Sequence, residues 1–408
     1  FIKSEKNIDI QNEYHGANGE LSVSSPKELH PLATAFVKAG INMGYQKNKD
    51  FNGATQEGFG HLQMTIKNGR RSSASTAFLR GIRKRKNLKI YTNMLISKIL
   101  FKNKTAIGVS GLRDGKAINI YANKEVILCA GSFNSPKILQ LSGIGPRDIL
   151  DKFNIENISV LEGVGKNLQD HYNGRIIFKT SNPYTLNAVM KSKFRSIFEG
   201  FKYIFFRRGF LNMGSSVSAG FIKSKQSLKR PDLHISLILF SGDKAGTKLH
   251  PWSGFSVIVR LLRPKSVGSL RIKSMDPVDQ PQIFMNYFSH KDDRQLLVQA
   301  IKITRKILKS DPIQNDILEE YSPGTQVVSN TEIEQFLATK GGISYHPVGT
   351  CKMGIARGCV VDYNLNVHGV KNLRVVDASI MPNITSGNTN APVIMIAEKA
   401  ADIILGKG

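Results

Sequence analysis

His346 is the side chain in this sequence best suited to moving a proton near neutral pH. It lies in the run Tyr345-His346-Pro347-Val348-Gly349-Thr350, where a proline and a glycine constrain the backbone just after it. An imidazole so placed can act as the base that takes a hydroxyl proton, although a lone histidine beside proline is more often structural. Asn390 is a second candidate. It stands two residues before Pro392, at the start of an apolar run of helical period through Val393, Ile396, Ala397, Ala400 and Ile403. Its carboxamide is placed either to cap that helix or to donate to a substrate oxygen on which charge develops. One amide does not easily do both, and the site role is favoured. Asp377 closes the apolar, β-branched run of residues 373–376, as a residue does where a parallel strand opens onto a crevice; a plain turn former is the other reading.

Positioning these residues requires particular elements. The polar loop Thr385-Ser386-Gly387-Asn388-Thr389-Asn390 joins the strand tip to the last helix, whose free N–H groups and positive dipole end point back toward the loop. Upstream, residues 125–131 read as a buried strand stopping at Gly131. Ser135 as N-cap and Pro136 at the first helical position then predict a short helix ended by Gly143, which makes half of a nucleotide-binding unit. Residues 88–91, continuing through 95–96, and residues 99–109 read as strands, with Asp114-Gly115 as a hairpin turn. Helices are predicted over 29–44, from a Ser72 or Ser73 cap to Leu79, and over the aromatic-rich 194–206. Residues 233–240 read as a strand containing His234. Asp292 or Asp293 is expected to cap a helix with Leu296, Leu297, Ala300, Ile301, Ile307 and Leu308 on one face.

With 408 residues and 41% hydrophobic content, the chain can bury a large core as two domains or one discontinuous α/β fold. The formal charge of +26 brings nucleic acid, anionic membrane and acidic polysaccharide into consideration. The lysines are scattered, and the densest run, Arg83-Lys84-Arg85-Lys86, has no helix-turn-helix, zinc-finger or RNA-binding pattern beside it, so it reads as a solvated connection. Cys129, Cys351 and Cys359 have neither CxxC spacing nor an even count, which indicates no metal site and no disulfide framework. No apolar run reaches membrane-span length.

The run CAGSFNSPKILQLSGIGP is similar to the second signature of the glucose-methanol-choline (GMC) oxidoreductases, flavoproteins that oxidise alcohols. GVGKNLQDH, RPKSVGSLRIKSMDP, YHPVGTCKMG and VVDASIMPNITSGNTNAPVIMIAEKAADII match that family in order and spacing across essentially the whole chain. The wording of HPVGTCKMG with SGNTNAPVIMI resembles the insect-type glucose dehydrogenase branch most closely. The resemblance implies a mixed α/β (α+β) fold: a Rossmann-like FAD-binding domain, incomplete, from residues 61–165 and 360–408, and a substrate domain of antiparallel sheet covered by helices from residues 1–60 and 166–359. It implies FAD as cofactor and His346 as the base, with Asn390 across the substrate oxygen. Asp377 and Ala378 would lie against the FAD diphosphate and ribityl chain, the Ile96 backbone against adenine, and Thr389 and Pro392 beside the isoalloxazine ring. His171 and His368 are read as structural, and Cys351 as a packed thiol.

The family's GxGxxG fingerprint and its first signature are not in this sequence, so the expectation is the C-terminal three quarters of an enzyme, holding FAD weakly by itself. The expected activity is oxidation of an alcohol or sugar with quinone or oxygen as electron acceptor, and the resemblance favours a secreted protein. Two other readings stand beside it. One is a catalytically silent relative with a binding or structural role, and the other is a basic module for anionic polymers, resting on charge alone.

Overall fold

The structure is a computed structural model describing residues 1–243 and 246–407. Its apolar side chains gather into two main cores. The larger lies on one face of a seven-stranded antiparallel sheet. Its path runs Ile317–Ser322, Tyr172–Thr180, Gly254–Leu261, Leu233–Ile238, Ser216–Ile222, Gly58–His61, with Gly342–Ile343 also pairing to Tyr172–Thr180. Because side chains alternate along a strand, Leu233, Ile235 and Leu237 enter this core while His234 and Ser236 turn to the opposite face. The helices Pro31–Asn42, Lys291–Leu308 and Asn330–Lys340 cover the apolar side, contributing Leu32, Phe36, Leu297, Ile301, Ile333 and Leu337.

The second core joins Ile99, Leu128, Leu139, Val348, Cys351, Val375, Ile380 and Ile396. At its centre Val126–Leu128 and Leu373–Val375 pair in parallel, with Val126 opposite Leu373. This sheet has two strands, and Ile127, expected to be buried, is 43% exposed on it. The mixed α/β class with an antiparallel sheet and covering helices is as the sequence implied.

Three local expectations fail for identifiable reasons. Residues 99–109 are not one strand: Met94–Lys102 and Thr105–Arg113 form a hairpin, because Asn103 (φ 47°) and Lys104 (φ 59°) both take the left-handed conformation of a two-residue turn. Lysine does not advertise that conformation. The next turn, at Asp114-Gly115, is where expected, and residues 88–91 lie outside the sheet. Secondly, the helix assigned to Ser135 and Pro136 runs instead over Gly131–Leu141, with Pro136 inside it. Proline withholds the N–H that would bond the Ser132 carbonyl, and the Thr350 hydroxyl donates to that carbonyl at 2.6 Å instead. Thirdly, His290 rather than Asp292 or Asp293 caps Lys291–Leu308, accepting from the Asp292 N–H, while the Asp293 carboxylate accepts from the Lys265 and Ser266 N–H groups.

Candidate active site

His346 sits at the junction of the two cores. Its segment pairs with the chain entering the large sheet through a β-bridge between Gln169 and Val348. It reaches the other core where Gly349 N–H donates to the Ala378 carbonyl and Cys351 N–H to the Ser379 carbonyl. Gly349 has φ +94°, and a Cβ there would lie 2.3 Å from the Asn167 carbonyl oxygen, so glycine is required for this close approach.

The bridge brings His171 against His346, with 3.1 Å between their Nδ1 atoms and the rings at 90°. Two nitrogens this close require one proton between them. The Leu262 carbonyl lies 3.2 Å from His171 Nε2 and only accepts, so Nε2 carries the proton of the neutral ring and His171 Nδ1 is a bare acceptor. His346 Nδ1–H then donates to it, and the free lone pair of His346 is on Nε2. Asp170 holds this register: one carboxylate oxygen accepts from the backbone N–H of His171 at 2.7 Å and the backbone N–H of His346 at 2.9 Å. The other oxygen accepts from the Tyr287 hydroxyl at 2.8 Å.

Electrostatics keep both rings neutral. Burial, reinforced by the nearby Arg260 guanidinium, lowers the His346 pKa to about 4. Burial, His346 and Arg260 together lower His171 to about 3. Arg260 lies in Gly254–Leu261 opposite both His234 and Asn173. Its Nε is buried without a partner, its Nη1 reaches Asn388 Oδ1 at 3.4 Å, and burial lowers its own pKa to about 10. His234, 4% exposed, has neither ring nitrogen hydrogen-bonded and is stacked on Phe221; burial holds it well below the ordinary histidine range.

The loop before the last helix is tied to the same place. Gln169 donates to the Pro382 carbonyl and accepts from the Ile384 N–H, Arg263 donates to the Ser386 hydroxyl at 2.8 Å, and Gln56 donates to the Ser386 carbonyl at 2.7 Å. The helix is Asn390–Ile404, and Thr389, not Asn390, occupies the N-cap position, without a side-chain cap bond. The Asn390 carboxamide is therefore not spent on capping; the residue is exposed, and no hydrogen bond joins it to His346.

Asp377 ends its strand as expected, but its carboxylate turns inward. Oδ2 accepts from Ser135 Oγ at 2.5 Å and Gly131 N–H at 2.9 Å, and Oδ1 from Ser379 N–H at 2.7 Å. A carboxylate saturated by protein donors shapes the strand end and presents no bare charge to an anionic ligand. Beside it, the Ser379 hydroxyl is buried without a partner and a Cβ at Gly131 would meet nothing within 4 Å; in the loop before the last helix, the Thr385 hydroxyl is also buried without a partner. The first turn of Asn390–Ile404 has no acidic residue to offset its positive end. Open space, unpaired hydroxyl groups and an uncompensated helix start suit a cofactor with a diphosphate and a polyol chain, so these residues fit FAD. Ala378, Thr389 and Pro392 are half-buried at this edge, while Ile96 lies in Met94–Lys102 opposite Gly111. Cys351 is fully buried, and burial pushes its thiol pKa up, as for a packed thiol; His368 Nε2–H donates to the Gly354 carbonyl at 2.9 Å.

Sequence reasoning missed His171, Asp170 and Arg260. The sequence reads His171 as structural, yet its ring faces His346. The adjacent pair Asp170-His171 was the available signal; Arg260, in an otherwise apolar strand, was the other.

Two family profiles, each described as GMC oxidoreductase, match residues 4–173 and 264–397. The chain is 40% identical over 411 residues to an alcohol dehydrogenase (acceptor) of Pseudomonas putida, covering 100% of this chain and 74% of that protein. It is 38% identical to the mitochondrial choline dehydrogenase of Mus musculus, covering 100% and 68%. Among solved structures, an FAD-dependent oxidoreductase from Chaetomium thermophilum superposes with a TM-score of 0.88 at 25% identity, over 99% of this chain and 78% of the other.

Proposed function

Because this chain belongs to the GMC oxidoreductase family, FAD-dependent enzymes that act on alcohols, we propose that it oxidises an alcohol or sugar hydroxyl with His346 as base and Asn390 as the oxygen-stabilising partner. The observation that carries this reading is the contact of His171 with both the Leu262 carbonyl and His346, from which the tautomer of His346 follows. The Leu262 carbonyl fixes His171, His171 fixes His346, and Nε2 is left with a lone pair to receive the hydroxyl proton. A base must be unprotonated before it acts, and burial with Arg260 keeps it so. The same guanidinium favours negative charge on the substrate oxygen as the proton leaves, and the uncommitted Asn390 amide adds a donor. His171 and Asp170 are positioning residues. The backbone at Asp377 and Ala378, the start of the last helix at Thr389 and Pro392, and the Ile96 strand would hold FAD, which would supply the hydride acceptor. The electron acceptor proposed for the loaded enzyme is a quinone or oxygen. That relatives are named for alcohol and choline supports an alcohol; the glucose branch suggested by motif wording remains a narrower proposal.

Anaerobic mixing of the flavin-loaded protein with a panel of simple alcohols, choline and glucose tests the reading. At least one should bleach the oxidised flavin absorbance, and His346→Gln should slow the bleaching about a thousandfold with the flavin still bound. Equal rates in the two proteins would remove His346 from the mechanism.

A further inference from the structure

The helix Lys193–Phe201 and the π-helical turn Lys202–Phe206 that continues it contribute nothing to either core: no residue of either is buried. Phe194 is 79% exposed, Ile197 72%, Phe198 50%, Phe201 47%, Ile204 62% and Phe205 65%. Their spacing of three and four places them along one side, and Phe206 and Leu211 extend the patch. Single exposed apolar residues are ordinary, but a continuous aromatic stripe marks a surface that binds something.

The charges beside it say what. Lys191, Lys193, Arg195, Lys202, Arg207 and Arg208 flank the stripe, and the one acid among residues 191–208, Glu199, is engaged by Lys202 Nζ at 3.1 Å and the Phe210 N–H at 3.0 Å. Arg207 packs on the tip of the hairpin Ile66–Lys67 and Arg70–Arg71, where a Cβ at Gly69 would lie 2.3 Å from its own Cβ. Exposed Lys67, Arg70 and Arg71 therefore join the basic rim. The segment is also fixed in place. Ser192 caps it, Arg195 donates to the Pro183 carbonyl, and the Ser196 hydroxyl to the Val189 carbonyl.

We propose that this is a membrane-docking surface that seats the protein on an anionic lipid bilayer. The phenylalanines enter the headgroup–acyl boundary, and the lysines and arginines meet the lipid phosphates. No helix among the described residues is long and apolar enough to cross a membrane, so the segment lies in the plane of the interface. A second copy of the chain is a poorer occupant, because a symmetric contact through this patch sets its basic rim against itself.

Flotation of the purified full chain with phosphatidylcholine vesicles, with and without phosphatidylglycerol, tests the proposal. The protein should float with the anionic vesicles and much less with the neutral ones. The double variant Phe198→Ser/Phe205→Ser should weaken partitioning at least about tenfold while leaving turnover of a soluble alcohol unchanged. Lys193→Glu/Arg195→Glu should erase the preference for phosphatidylglycerol. Absence from the floating fraction, or flotation undiminished by the serine variant, overturns the proposal. So does a lipid-free dimer that the serine variant dissociates.

Discussion

His15 and His346 are both enclosed histidines, and their surroundings drive them in opposite directions. His15 lies between two carboxylates, Nδ1 2.9 Å from Glu5 and Nε2 2.9 Å from Asp50. Burial works against its charge, yet the two acids outweigh burial and raise its pKa above the ordinary 6.5. His346 has a histidine on one ring nitrogen, and burial first, then the nearby Arg260 guanidinium, lowers its pKa to about 4. One imidazole is held toward its charged form and fastens residues 5, 15 and 50 together; the other is held toward its neutral form and is partly buried. Burial alone does not tell a structural histidine from a reactive one. The sign of the neighbouring charge does, together with whether a lone pair is left over.

That contrast can be broken by substitution. The largest effect is expected at His346: His346→Gln should lower kcat about a thousandfold while thermal unfolding changes little, read by steady-state rates and melting. Next, His171→Phe removes the acceptor that orients His346, and should lower kcat about ten- to a hundredfold. His171→Asn, which restores a side-chain acceptor, should recover part of the loss; an equally low rate would show packing rather than orientation at work.

Profiles of kcat/KM against pH sharpen the comparison without loss of function. Because His346 must be neutral, activity in the wild-type protein should hold below pH 6.5 and fall only as pH approaches the lowered value of about 4. In Arg260→Gln one of the two causes of that lowering is gone, so the acid limb should move to higher pH. An unmoved limb would assign the shift to burial alone.

The smallest effect concerns stability, and the two histidines carry opposite signs. The His15 contribution, from a raised pKa, is fully present below the unfolded value near 6.5 and is lost as pH rises through the folded value. His15→Gln should therefore cost about 1–3 kcal/mol in denaturant melts near pH 6 and less at pH 9. For His346 and His171 the folded pKa values are depressed, so their contribution is present above 6.5 and is lost as pH falls toward about 4 and about 3. Protein lacking His15 should still weaken on acidification through that second window.

Much of this was legible beforehand. The strand ending at Asp377, the helix starting near Asn390, the Asp114-Gly115 turn and the aromatic helix all follow from local periodicity and turn chemistry, which act within a few residues. Where the reading failed, a distant partner had intervened. Pro136 is tolerated inside a helix because Thr350, more than two hundred residues later, takes up the stranded carbonyl. Ser135 leaves its capping role for Asp377.

By itself, then, the sequence determined the family, the mixed α/β class, FAD as the fitting cofactor and His346 as a titratable group beside a constrained turn, because residue type and near spacing carry that information. Only the tertiary structure decided that His346 meets His171 through one ring nitrogen, that Thr389 rather than Asn390 takes the N-cap position, and that burial, with Arg260 beside it, holds His346 toward its neutral form. Tautomer and charge state are set by what lies within a few ångströms in space, and those neighbours come from residues 170, 171, 260 and 262, far from His346 along the chain.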